Sequence, residues 1–110
     1  MNYEHKELAA GRWRELSFLE QMANIGSEVE RALNWQARNN SDFCQKASVR
    51  ALELADLALD SAETFPRLKE LARMREALAD YFFGENLSAS TPASWRKYFY
   101  HFTYAARRNY

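Results

Sequence analysis

The sequence predicts an all-α protein, an antiparallel up-down-up-down four-helix bundle, on three observations. Apolar residues recur at spacings of three and four in four separate stretches, the period of one helix face. Glycine and proline are scarce, three and two in 110 residues, and Pro66 and Gly84 fall where a helix should start and stop. The joints are short, and short joints make successive helices antiparallel neighbours. At this length the chain can bury one core, so residues 1–110 are read as a single domain, with 1–12 expected to form a frayed N-terminal arm.

The first helix is placed at about residues 13 to 39. In "LSFLEQMANIGSEVERALNWQAR", Phe18, Leu19, Met22, Ile25, Gly26, Val29, Ala32 and Leu33 form a stripe broad enough to touch two neighbours. Gly26 within it costs about 1 kcal/mol of helix propensity unless it permits a close helix crossing. "NNSD" ends this helix, with Ser41 or Asp42 expected to cap the next.

The second helix, at about 42 to 62, carries Phe43, Ala47, Ala51, Leu54, Leu57 and Ala58 on one side. Leu52, Ala55 and Leu59 widen that side past half the circumference, which predicts the most buried helix of the four. The third spans about 65 to 83, with Leu68, Leu71, Arg75, Leu78 and Phe82 in heptad register. After the polar "ENLSASTPAS", the fourth runs from about 92 to 108 with Trp95, Tyr98, Phe99, Phe102 and Ala106 inward.

Fifteen basic groups balance fifteen acidic ones, so overall charge excludes a general polyanion binder. The distribution is uneven. Residues 41–64 hold two basic and five acidic groups, whereas 92–110 hold four basic and none acidic. No stretch has the apolar core of an export signal or the roughly 18 apolar residues of a membrane span, so a cytoplasmic location without membrane association is expected. Cys44 is the only cysteine, which rules out an internal disulfide. There is no zinc-ligand spacing, no phosphate-binding Gly-rich loop and no Glu-x-x-His pair, and His5 falls in the N-terminal arm, so neither a metal nor a cofactor is expected.

Arg75 is the anomaly in the core pattern, because its heptad position calls for an apolar residue. A buried guanidinium requires a carboxylate, and Glu15 and Glu30 at the edges of the first helix's apolar stripe, with Arg50 on the second, suggest a buried ion-pair network; the alternative is a structural ion pair or an Arg75 that snorkels to solvent.

Arg96-x-x-x-x-His101, late in a small helical chain, resembles the HEPN family of metal-independent ribonucleases. The resemblance implies His101 as general acid or base at a ribose 2′-hydroxyl and Arg96 as support for the phosphate, with two copies facing across a dimer. A five-residue step on an ideal helix turns about 500°, leaving the two side-chain directions about 140° apart. Over nearly the whole chain, "RELSFLEQMANIGSEVERALNW", "RLKELARMREALADYFFG" and "KYFYHFTYAARR" are similar to a group of small bacterial helical proteins of unknown function, a resemblance that implies no activity.

On a helical wheel, Lys97, His101, Tyr104 and Arg108 share one outward arc, while Arg96, Tyr100, Thr103 and Arg107 form a second strip beside the core. Cations interleaved with tyrosine suit RNA phosphates and unpaired bases, and equally an acidic protein surface. Trp35 lies off the first helix's apolar stripe, which marks either an oligomer contact, most simply in a two-fold dimer, or a site covered by the fourth helix or by the N-terminal arm with Trp13. The leading expectation is a non-enzymatic interaction module that self-associates and presents its last helix to a partner. The alternatives are a ribonuclease using Arg96 and His101, or an RNA-binding adaptor that does not cleave.

Overall fold

The structure, a computed structural model, describes residues 11–108. These residues are 83% helical and include no strand. Helix α1 is the helical stretch at 11–15, and four longer helices follow: α2 Phe18–Ala37, α3 Ser41–Asp60, α4 Phe65–Phe83 and α5 Pro92–Arg108. His5 and most of the expected N-terminal arm lie outside the described residues.

The chain interrupts helical structure at Leu16 and Ser17, where one continuous helix from about residue 13 was expected. The cause is local. The Ser17 hydroxyl accepts the backbone N–H of Glu20, and the Glu20 carboxylate accepts the N–H of Ser17, a capping box that starts α2 afresh. Trp13, before the break, is buried. Gln21 holds it there, donating from Nε2 to the Trp13 carbonyl at 2.9 Å and to Ser61 Oγ at 3.3 Å, and so joins α1, α2 and the end of α3.

Three residues connect α2 to α3. Asn39 takes a left-handed conformation at φ 58°, which asparagine tolerates better than most side chains. The N–H groups of Asn39 and Asn40 then reach back to the carbonyls of Gln36 and Trp35, closing the end of α2 in a Schellman motif. Asn40 serves both helices, because its side chain also accepts the N–H of Phe43 as the cap of α3. The cap is therefore Asn40, not Ser41 or Asp42. Thr64 caps α4 with Pro66 in its first turn, and Thr91 and Ser94 exchange hydrogen bonds at the start of α5.

Helix α2 lies along both α3 and α5, and α3 lies along α4. The most enclosed position thus belongs to α2, where the sequence pointed to the next helix. Phe43 and Val49 of α3 are exposed, while Met22, Ile25, Val29 and Leu33 of α2 are all at most 2% exposed. The rest of the core comes from Ala51, Leu54 and Ala58, from Leu71, Met74 and Leu78, and from Trp95 and Phe99. Leu52 and Leu59, which widen the α3 face, pack half-buried against that core, as does Leu57.

Gly26 sets the distance between α2 and α5. A Cβ added there would come within 2.9 Å of the Cβ, Cγ and Cδ1 atoms of Phe99, closer than van der Waals contact allows. The glycine in the apolar stripe therefore does permit a close crossing. Phe99 cannot withdraw, since its ring is stacked on Trp95 at 6.0 Å and meets Tyr98 edge-on at 4.9 Å.

Asp80 organises the turn between α4 and α5. Its carboxylate accepts the backbone N–H groups of Leu87 at 2.9 Å and Ser88 at 3.0 Å. Those bonds, that of Ser88 foremost, hold its pKa below the ordinary carboxylate value.

Two outcomes follow from this geometry. Gly26→Ala gains helix propensity but overpacks the crossing, and should lower the thermal midpoint by roughly 5–10 °C, corresponding to about 1–2 kcal/mol. Combining it with Phe99→Leu should cost less than the two single changes summed, and a raised midpoint for Gly26→Ala alone would show that the crossing is not tight. The depressed Asp80 pKa means its bonds are fully made above the ordinary carboxylate pKa and lost as pH falls through the lower folded value. Hydrogen exchange at the Leu87 and Ser88 amides should accelerate relative to helical amides as Asp80 protonates, and Asp80→Asn should remove that pH dependence.

Candidate functional site

Helix α5 has two distinct sides because its aromatic residues recur with helical period. Trp95, Phe99 and Ala106 are buried and Tyr98 and Phe102 half-buried. Around Tyr98, burial and then the Glu70 carboxylate push the phenol above its ordinary pKa, so it stays neutral. Rings continue this contact to other helices, with Trp95 6.4 Å from Tyr81 of α4 and Phe102 6.1 Å from Phe18 of α2.

Lys97, His101, Tyr104 and Arg108 are all exposed on the outer side. Tyr100, 64% exposed, stacks on Tyr104, 53% exposed, at 6.1 Å and 23°, and the His101 ring lies 6.3 Å from Tyr100. The result is an open aromatic pair edged by cations. None of Lys97, His101, Arg107 and Arg108 has an ion pair among the described residues.

Arg96 is different. Its Nε donates to both carboxylate oxygens of Glu30, at 2.9 and 3.1 Å, and an Nη donates to Asn34 at 3.3 Å. The guanidinium is thereby drawn to α2, away from the outward arc that holds His101. The two residues that resemble a ribonuclease pair are not brought to one point, as the 140° divergence on an ideal helix leads one to expect.

The structure does not assemble Arg75, Arg50, Glu15 and Glu30 into one network. Arg75 binds Asp56 at 2.7 Å with its side chain 38% exposed, Arg50 pairs with Glu53 at 3.8 Å, Glu30 belongs to Arg96, and Glu15 is exposed. The reason is the register of α4. Its buried positions are Leu71, Met74 and Leu78, so Arg75 stands at the edge of the face and reaches α3, while Leu68 is 41% exposed.

Trp35 is half-buried, partly covered from within the chain. Phe43 of α3 lies 4.8 Å from its ring and the Arg38 guanidinium 5.4 Å over it. Its place off the α2 stripe is thus occupied by the first turn of the next helix.

Sequence reasoning gave no role to Ser27 and treated Glu30 as a core ion-pair member. In the structure both line a groove of about 430 Å³ between α2 and α5, together with the strip Arg96, Tyr100, Thr103 and Arg107. The only signal for it was Gly26, which marked a close crossing but not the helix being crossed. Among the described residues no helix is long and apolar enough to cross a membrane, and no group of three or more His, Cys, Asp and Glu side chains could hold a metal ion. No family model matches the chain, and neither a curated protein nor a solved structure matches it significantly.

Both interhelical ion pairs are substantially exposed, which limits them to less than about 1 kcal/mol each. Arg75→Met and Arg96→Met should each move the urea midpoint only slightly. A loss of several kcal/mol in either would reveal a buried charge network after all.

Proposed function

We propose that the chain is a non-enzymatic interaction module, an antiparallel bundle of α2 to α5 that presents the outer side of α5 to an anionic partner. Short joints of three and four residues between α2, α3 and α4 support the antiparallel arrangement. One observation carries the functional reading. Three acidic side chains are already matched inside the chain, Asp56 by Arg75, Glu53 by Arg50 and Glu30 by Arg96. Among the described residues the cations of α5's outer side have no such match, and they flank two exposed, stacked tyrosines.

Such a surface attracts anions at long range and offers flat rings for close contact. Arg96, which the ribonuclease resemblance assigns to the phosphate, has its guanidinium occupied by Glu30 and Asn34. Docking therefore accounts for more of the geometry than cleavage does.

Anisotropy titrations with a labelled uridine oligomer and with an acidic peptide, repeated at several salt concentrations, test the proposal. Binding to either should weaken as salt rises. Lys97→Ala and Arg108→Ala should each reduce affinity for the oligomer and flatten the logarithmic salt slope by about 0.7 for a lost phosphate contact. His101→Ala should have little effect. Oligomer cleavage abolished by His101→Ala but unchanged in Lys97→Ala would instead establish the catalytic alternative, since general acid–base work is worth roughly 10²–10⁴ in rate and little in affinity.

A further inference from the structure

The inner strip of α5 faces a second feature, which shares Tyr100 with the stacked pair of the outer surface. Along the α2–α5 seam, the groove of about 430 Å³ has an apolar floor of Val29, Leu33, Trp95 and Phe99. It adjoins a second hollow of about 240 Å³ that reaches Glu20 and Asn24, and the two share Ser27, Thr103 and Arg107. The seam thus changes from apolar to polar at an arginine and two hydroxyls.

Its charges are unequally committed. Glu30 is matched by Arg96, and the Glu20 carboxylate accepts the Ser17 N–H at 3.1 Å. The Ser27 hydroxyl donates to the Ala23 carbonyl at 3.1 Å. Arg107 has no hydrogen bond or ion pair among the described residues, and it gives the larger groove one positive charge beyond the Glu30–Arg96 pair, while Glu20 adds a negative charge to the adjoining hollow. An apolar cleft of roughly 300–1,000 Å³ with a few convergent polar groups is the usual form of a small-molecule site. A guanidinium beside a hydroxyl suits a carboxylate or phosphate, which it can engage through two parallel N–H donors.

We propose that the α2–α5 groove binds a small amphipathic anion, with its apolar body over Val29, Leu33 and Phe99 and its carboxylate or phosphate head on Arg107 and Thr103. Neither half of the ligand suffices alone. The apolar floor has no charge preference, and one exposed arginine in water holds a free anion weakly.

The test is an amide-resolved NMR titration of the whole chain with octyl phosphate and with octanoate, each below its micelle concentration. 1-Octanol and inorganic phosphate serve as the half-ligand controls. At least one amphipathic anion should give saturable shifts centred on Gly26, Ser27, Leu33 and Thr103, with a Kd of about a millimolar or tighter for roughly a dozen non-hydrogen atoms. Whichever head group binds better identifies the source of the charge. Arg107→Gln should weaken that ligand about tenfold, the loss expected for one charge-assisted contact, and Thr103→Val should weaken it less. Lys97→Ala and Arg108→Ala should leave it unchanged, so this site can stand or fall separately from the outer surface. The proposal is overturned by the absence of saturable shifts below about 10 mM. Equal binding of inorganic phosphate, an unaltered Kd in Arg107→Gln, or an equal loss in Lys97→Ala would each overturn it too.

Discussion

The crossing of α2 and α5 at Gly26 constrains more of this protein than any other contact. With no side chain on Gly26, the Phe99 ring and Cβ lie where a methyl group would otherwise stand. That proximity brings α5 onto the helix already packed against α3, so three helices share the side chains around Met22, Ile25 and Val29. A glycine in mid-helix is intrinsically unfavourable by about 1 kcal/mol relative to alanine. Burying Phe99, whose truncation in a core typically costs about 3–5 kcal/mol, outweighs that loss.

Helix α4 is held by different means. It lies along α3, and it reaches α5 through rings that span the wider gap, Tyr81 to Trp95 and onward to Tyr98, Phe99 and Phe102. The indole N–H of Trp95 is buried among these rings without a conventional acceptor among the described residues, a cost that the aromatic contacts must offset. Asp80 completes the connection by fixing the turn from which α5 begins. The position of α5 therefore depends on one glycine, one aromatic cluster and one capping carboxylate.

Both functional proposals arise from how charges are divided. Zero net charge conceals an arrangement in which Asp56, Glu53 and Glu30 each face an arginine, while among the described residues Lys97, Arg107 and Arg108 of α5 have no ion pair. Interhelical pairs this exposed contribute little stability but fix which cations remain available. Arg96 illustrates the point, since its pairing with Glu30 balances its charge within the wall of the inner groove.

What the sequence determined by itself is local. The four long helices, the inward and outward sides of α5, the Pro66 and Gly84 boundaries and the need for a close approach at Gly26 are legible because helical hydrogen bonds and periodicity act over about four residues. The Ser17–Glu20 capping box and the Asn39–Asn40 turn are also written locally, but in the sequence they compete with a longer apolar period and with Ser41 and Asp42 as caps. Only the tertiary structure could decide the rest. The apolar residues of α4 fit a heptad through Arg75 or a register through Met74, and packing against α3 selects the second. Likewise, Phe43 covering Trp35, Phe99 opposing Gly26, and Glu30 capturing Arg96 across 66 positions depend on how each helix is rotated about its own axis. That rotation is set by the neighbouring helix, and the periodicity of a single helix does not contain it.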